Sequence, residues 1–120
     1  MANSSKARGD GAEQAACDYL QSQKLQILQR NYRCRLGEID IVARHHDYLV
    51  FVEVRLRGNL RFGGAAESVN ARKQQRLIHA ASHYLASQCQ TEPPCRFDVI
   101  EATESNGEFQ LNWLPNAFQL

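Results

Sequence analysis

Hydrophobic and polar residues follow two different periods along the chain, and these divide it into seven predicted elements. Apolar residues recur at every third or fourth position in residues 9–24 and 66–88, and this spacing predicts two helices. Alternating or β-branched segments predict strands at residues 25–33, 37–43, 48–57, 95–102 and 108–114. The resulting order, α-β-β-β-α-β-β, predicts an α/β sandwich around a central mixed sheet.

The composition is that of one globular domain. The chain has 120 residues, 43% hydrophobic and 22% charged, which excludes a disordered tail. Residues 1–8 show no periodic pattern and are predicted to be a flexible N-terminus, followed by a single domain over residues 9–120. The longest apolar run, Tyr48–Val52, is far shorter than the ~20 residues of a membrane-spanning helix. With no hydrophobic leader and no CxxC pair, we expect a cytoplasmic protein with reduced thiols and no membrane partner.

The charge is small in total but unevenly distributed. The formal net charge is +1, yet residues 1–89 carry 13 basic and 8 acidic side chains, whereas residues 90–120 carry one and five. The basic residues are mostly arginines, whose planar guanidinium groups can bind phosphate through two hydrogen bonds at once. This distribution indicates a local anionic partner rather than a protein that coats nucleic acid over its whole surface.

A charged residue interrupts the most strongly predicted strand. In residues 48–57, strand alternation puts Leu49, Phe51, Glu53 and Arg55 on one face. The carboxylate of Glu53 is costly to bury there unless it is paired with a cation or binds a metal. Glu53 is therefore a candidate functional residue.

A second carboxylate is predicted to lie opposite Glu53. If residues 46–47 form a two-residue turn, Asp40 pairs with Glu53, with about 5 Å between their Cβ atoms. Two like charges at this distance repel each other, and a divalent cation between them removes the conflict. A register slip of one residue would instead put them on opposite faces of the sheet. Glu13, at the edge of the first helix's apolar stripe, is a third candidate ligand, and Glu38 is a fourth carboxylate nearby.

Two short strings carry a family resemblance. Residues 37–40 are Gly-Glu-Ile-Asp and residues 51–55 are Phe-Val-Glu-Val-Arg, and together they resemble the core motif of the PD-(D/E)XK nuclease superfamily. The similarity is closer to the YraN family of small bacterial proteins, whose domain resembles Holliday-junction resolvases. It extends over residues 9–100, with further matches at Gly11–Glu13, Arg30–Arg33, Phe62–Gly63, Lys73, Arg76–Leu77 and Arg96–Val99. The resemblance implies a restriction-endonuclease-like fold and a single nuclease-like domain.

The resemblance also implies catalytic and metal-binding roles for individual residues. Asp40 and Glu53 match the metal-ligating carboxylates, and Glu13 matches the helix carboxylate of the resolvase-like group. Arg55 occupies the position of the superfamily's catalytic lysine. Arginine binds phosphate and stabilises transition-state charge, but it stays protonated and is therefore no general base. Lys73, on the second predicted helix, is an alternative source of a lysine at the site.

The implied activity is that of an endonuclease-like hydrolase, which cleaves phosphodiesters in structured DNA with Mg²⁺ or Mn²⁺. DNA rather than RNA is the expected partner, and the two-fold symmetry of a four-way junction suggests a homodimer. Two alternatives stay open: a non-catalytic nucleic-acid-binding module of the same fold, which Arg55 allows, and an adaptor whose partner docks on the acidic C-terminal residues. The expected contacts with the nucleic-acid backbone are made by Arg30, Arg33, Arg35, Arg57, Arg61, Arg72, Lys73 and Arg76.

Each candidate also has a purely structural interpretation. Asp40 and Glu53 are ordinary sheet charges if Arg55 or Arg57 pairs with them. The structural interpretation of Glu13 is a solvated helix carboxylate near a positive helix N-terminus. His79 and His83 have i, i+4 spacing, but the residues between them lack the glutamate of an HExxH zinc motif.

Overall fold

The computed structural model describes residues 4–57 and 70–118, with side chains from residue 9 onward. Its helices and strands follow one another in the predicted order, α-β-β-β-α-β-β. The elements are α1 (Ser4–Ser22), β1 (Gln26–Cys34), β2 (Gly37–His45), β3 (Tyr48–Arg57), α2 (Ala71–Gln88), β4 (Cys95–Ser105) and β5 (Glu108–Phe118). Within these ranges, no helix is both long and apolar enough to cross a membrane.

The strands of the described ranges form one mixed sheet in the order β1-β2-β3-β4-β5. Neighbouring strands are antiparallel except β3 and β4, which are parallel. Helix α2 lies in the connection between these two strands, because parallel neighbours cannot be joined by a tight turn. The predicted α/β sandwich with a central mixed sheet is therefore confirmed.

The two helices cover opposite faces of the sheet, and each builds its own hydrophobic core. Alternate residues of β3 enter the two cores, since successive strand side chains point to opposite faces. The core under α1 contains Ala16, Cys17, Leu20, Ile41, Ala43, Val50, Val52 and Ile100. The core under α2 contains Leu77, Ala80, Ala81, Tyr84, Ile39, Val42, Leu49, Phe51, Phe97 and Val99.

Helix α1 is longer than predicted at its start. It begins at Ser4 rather than at the predicted residue 9. The flexibility of the N-terminus stays a prediction. This segment contains no proline, and its lysine, alanine and arginine are good helix formers. It has no apolar stripe, which is why hydrophobic periodicity gave no sign of a helix. The extent of a single domain over residues 9–120 stays a prediction.

Helix α2 begins later than predicted, at Ala71 rather than at residue 66. Asn70 has extended backbone, and its side chain accepts a hydrogen bond from the Lys73 N–H at 2.9 Å, so it is the N-cap. This cap fixes the first turn of the helix and thereby the position of Lys73. Residues 58–69 lie outside the described part of the chain.

The C-terminal hairpin is longer than predicted but turns at the predicted place. Strands β4 and β5 reach Ser105 and Phe118, beyond the predicted ends at residues 102 and 114. The two turn residues, Asn106 and Gly107, both have positive φ, 54° and 82°. Asparagine and glycine adopt this conformation easily, and it gives the twist that a two-residue hairpin requires.

Candidate active site

A break in the alternation of β2 positions the carboxylate of Asp40. Ile39 packs in the core under α2, whereas Ile41 and Ala43 pack in the core under α1. Regular alternation would put all three on one face. On β1, the position between the residues that pair with Ile39 and Ile41 is Asn31, which has left-handed backbone with φ of 54°. The β1–β2 hairpin is therefore irregular at Asp40.

The pairing of β2 with β3 has the predicted register. Its last pair before the irregular position is Ile41 with Val52. Continued by one residue, this register brings Asp40 opposite Glu53. At this position the Asp40 side chain, and not a backbone carbonyl, accepts a hydrogen bond across the two strands. The backbone N–H of Val54 donates to Oδ2 of Asp40 at 2.8 Å. The hairpin thus brings the two carboxylates together and ties one of them to the backbone beside the other.

Glu13, Asp40 and Glu53 line one pocket of about 150 Å³, hereafter the carboxylate pocket. They come from α1, β2 and β3, so the helix carboxylate lies with the two strand carboxylates that the sequence singled out. The remaining lining residues are Gly9, Ala12, Val54, Arg55, Leu56 and Lys73. The structure therefore brings all four proposed catalytic residues to one place.

Negative charge in the carboxylate pocket is poorly solvated. Burial and then the nearby Glu53 carboxylate raise the pKa of Asp40 from 3.8 to about 7, and they outweigh the opposing effect of the Val54 N–H. Burial also raises the pKa of Glu13, and the charge of Asp40 adds to the increase. Carboxylates with raised pKa values in a cleft are typical of functional sites. A cation in the pocket would stabilise their ionised forms.

Two basic side chains contact Glu53, which is only 4% exposed. Nζ of Lys73 is 3.2 Å from Oε2, and Nη1 of Arg55 is 3.8 Å from the same oxygen. The lysine of α2 thus lies closer to this carboxylate than the arginine at the motif's lysine position. For Glu13, the cation is Arg30, with 3.6 Å between Nη2 and Oε1.

The donor set fits a hard divalent cation such as Mg²⁺ or Mn²⁺, which prefers carboxylate oxygens. The buried Oε1 of Glu13 accepts no hydrogen bond from the residues that the structure describes. Within residues 4–57 and 70–118, no group of three or more His, Cys, Asp or Glu side chains is arranged to hold a metal ion. The fit is therefore to an ion held by Asp40 and Glu53, with water and phosphate oxygens completing its coordination.

A second cavity, of about 400 Å³, adjoins the carboxylate pocket and is hereafter called the basic groove. Its lining residues are Arg55, Asn70, Arg72, Lys73 and Arg76. All but one carry positive charge, and the first and second turns of α2 supply most of them. The groove and the pocket share Arg55 and Lys73, so a polyanion bound in the groove would lie beside the carboxylates.

Comparison with known proteins shows which family this chain belongs to. The model of the uncharacterised protein family UPF0102 matches residues 12–102. The chain belongs to this family. A UPF0102 protein of Nitrosomonas europaea is 52% identical over 111 residues, 92% of each chain. One of Cupriavidus metallidurans is 50% identical over 120 residues, 99% of this chain and 86% of its own. The resemblance to the YraN family, which is UPF0102, is confirmed.

Burial removes Arg57 of this UPF0102 protein from the predicted contacts with nucleic acid. Its side chain is 8% exposed, and Nη1 donates a hydrogen bond to Oε2 of Glu101 on the adjacent strand β4. If the guanidinium moved away to bind a phosphate, the buried carboxylate of Glu101 would be left without a counter-charge, which is energetically costly. Sequence alone did not reveal this pair, because the two residues are far apart in the chain and meet only through the parallel β3–β4 pairing.

Other basic residues predicted to bind nucleic acid lie outside the lining of the basic groove. Arg30 contacts α1, where its Nη1 donates to Gln14. Arg33 is exposed and pairs with a carboxylate on the adjacent strand. Arg35 lines a separate cavity of about 240 Å³ with two histidines of α2. Arg61 lies outside the described residues. Of the predicted set, Arg72, Lys73 and Arg76 are the members that line the groove.

Sequence reasoning missed two groups that shape this UPF0102 site. Asn70 caps α2 and lines the basic groove, and its signal was an asparagine directly before Ala-Arg-Lys at a helix start. The backbone N–H of Val54, which binds Asp40, had no signal in the sequence, because any residue type can supply it.

Proposed function

We propose that this protein is a metal-dependent endonuclease-like hydrolase that cleaves phosphodiesters in structured DNA in the cytoplasm. One observation carries the proposal: a pocket of three carboxylates opens beside a groove lined by four basic side chains, and the two share Arg55 and Lys73. Phosphodiester hydrolysis needs both kinds of group, because the phosphate must be bound while its developing charge is neutralised.

Asp40 and Glu53 are the proposed metal ligands, and Glu13 is the third carboxylate within the same pocket. The metal, Mg²⁺ or Mn²⁺, would activate water and stabilise negative charge on the phosphate. The hydrogen bond from the Val54 N–H fixes the Asp40 carboxylate beside Glu53. Since burial and Glu53 raise the pKa of Asp40, a cation in the pocket would stabilise the ionised form of Asp40 beside Glu53.

Arg55 and Lys73 divide the remaining work according to their chemistry. Arg55 keeps its charge and can hold a phosphate oxygen, but it cannot accept a proton. Lys73 has a flexible stem and lies at the border of pocket and groove, so its ammonium can orient a phosphate or a water molecule there. Arg72 and Arg76 then bind the backbone along α2 without reading base sequence.

Cleavage of labelled single-stranded, flapped and four-way-junction DNA with Mg²⁺ or Mn²⁺ tests the proposal. Cutting by the native protein that disappears in Asp40→Asn supports it. Glu38→Gln is a matched control, because Glu38 is an exposed carboxylate on the same strand that pairs with Arg33. The junction's two-fold symmetry supports a homodimer as the active form, which light scattering with and without a junction tests.

A non-catalytic nucleic-acid-binding module is the second candidate, and the arginine at the motif's lysine position favours it. In that case the basic groove binds DNA, while no divalent ion at any concentration produces cutting. Salt-sensitive binding by a native protein that never cleaves would therefore support the module and contradict the nuclease.

A further inference from the structure

Lys73 is held at the carboxylate pocket by the start of α2. Its backbone N–H donates to Oδ1 of the N-cap Asn70, which fixes the first helical turn. Farther along the helix, a Cβ on Gly37 would lie 2.1 Å from the backbone oxygen of Arg76, so only glycine allows α2 to approach the β1–β2 turn this closely. These two contacts set the position of the helix that carries Lys73.

The ammonium of Lys73 lies beside Oε2 of Glu53, an oxygen that a metal ion would bind. Nζ is 3.2 Å from Oε2 of Glu53, which is nearly buried, and the second cation on that oxygen, Arg55, is farther away at 3.8 Å. Mg²⁺ binds carboxylate oxygens at about 2.0–2.1 Å and tolerates little distortion. An ammonium 3.2 Å from the same oxygen would repel the ion, most strongly where little water screens the charges.

We propose that Lys73 is an exchangeable counter-ion of Glu53, which competes with the divalent cation for this carboxylate. The inference rests on the proposed function, since it concerns the same pocket. Without metal, the ammonium stabilises the buried carboxylate. With a metal ion bound to Glu53, the ammonium would leave Oε2 and turn from the carboxylate pocket toward the basic groove.

The basic groove gives the displaced ammonium a new partner. Lys73 lines both cavities, so its side chain can move from a carboxylate in the pocket to a backbone phosphate in the groove. Nucleic acid and metal would then favour each other's binding, because each removes one partner from the Lys73–Glu53 pair. Thermodynamic linkage requires this effect to be equal in both directions.

Titration with Mn²⁺ alone, followed by the loss of the free-ion electron paramagnetic resonance signal, tests the competition without nucleic acid. We expect Lys73→Met to bind Mn²⁺ at least about 5-fold more tightly than the native protein. Arg76→Met is the matched control: it removes a positive charge one turn farther along α2, in the groove but outside the carboxylate pocket. Its affinity should stay within about 2-fold of native, as expected for a screened charge.

Lys73→Gln repeats the test with a polar side chain in case the methionine variant fails to fold, and Lys73→Arg, which keeps the charge, should bind Mn²⁺ as the native protein does. Equal or weaker binding by both neutral variants would overturn the inference, as would an absence of binding in all of them. If the neutral variants bind more tightly but the native protein never cleaves DNA, the counter-ion role stands and the nuclease proposal fails. If the native protein cleaves DNA but the neutral variants do not bind Mn²⁺ more tightly, the nuclease proposal stands and the counter-ion role fails.

Discussion

The carboxylate of Asp40 accepts a hydrogen bond from the backbone N–H of Val54, with 2.8 Å between Oδ2 and the nitrogen. This bond lies just beyond the regular β2–β3 pairing, so Asp40 both joins the two strands and adds charge beside Glu53. The two roles can be separated by mutation. An asparagine keeps an oxygen that can accept the same N–H, but it carries no charge.

Asp40→Asn is expected to stabilise the metal-free protein at high pH and not at low pH. The pKa of Asp40 is about 7 in the folded protein against 3.8 ordinarily, so folding stability falls as the pH rises between these values. Below this range the carboxyl is protonated in both states, and the variant gains nothing. Urea unfolding should show a gain of about 1–3 kcal/mol at about pH 8 and little change at about pH 4.

Glu38→Gln is the control for the pH experiment. Glu38 is an exposed carboxylate of the same strand, and its partner Arg33 is exposed as well. Its replacement should change the free energy of unfolding by less than about 0.5 kcal/mol at both pH values. An Asp40→Asn variant that is less stable than native at about pH 8 would show that the charge of Asp40 is not a burden on the metal-free fold.

Gly37→Ala is expected to destabilise the protein by about 1–3 kcal/mol, because the added Cβ meets the backbone of α2 and not a flexible side chain. Gly9→Ala provides the contrast. A Cβ at Gly9 has no atom within 4 Å, and alanine is a better helix former, so this variant should gain up to about 1 kcal/mol. Thermal unfolding of the two variants measures the difference, and equal effects would contradict the close approach.

Asp98→Asn should cost about 2–4 kcal/mol, because Asp98 is 1% exposed and its charge is used by several donors. Arg96 binds both carboxylate oxygens, at 2.9 and 3.0 Å. Trp113 Nε1 and the backbone N–H of Asn116 donate to it from β5, each at 2.9 Å. Urea unfolding checks this, with exposed Asp47→Asn as the control; a loss no larger than that of the control would contradict it.

Arg76→Gln is expected to weaken DNA binding and reduce its dependence on salt. If Arg76 neutralises one backbone phosphate in the basic groove, the slope of log affinity against log salt should become shallower by about 0.7–0.9. Fluorescence anisotropy at several salt concentrations gives the slope. Arg44→Gln removes an exposed arginine that does not line the groove, and an equal change in both variants would contradict a localised binding site.

Much of the fold was predictable because its signals are local. The order of helices and strands along the chain, the Asn106–Gly107 turn and the β2–β3 register all follow from periodicity and turn residues over short distances. Glu53 was identified in the same way, as a charge in an otherwise apolar strand. What sequence could not supply was the partner of each charge, since Lys73 and Glu53 are 20 positions apart and meet only when α2 folds back over the sheet.

Three features depended on tertiary structure in ways that periodicity does not report. The irregularity at Asp40 involves Asn31 on the adjacent strand, and both residues have ordinary strand neighbours in the sequence. Arg57 resembles every other arginine of the basic region until Glu101 is placed beside it. The start of α1 has no apolar stripe, so only helix propensity could have indicated it.

Single-turnover cleavage of the preferred DNA substrate with Mn²⁺, comparing native protein with Glu53→Gln, measures whether the carboxylate pocket is the active site. The substitution keeps the shape of the side chain and removes the charge that would hold the metal beside the basic groove. We predict a loss of about 100-fold or more in rate, while Glu38→Gln stays close to native. Cleavage by Glu53→Gln at the native rate would contradict a metal-dependent active site in the carboxylate pocket.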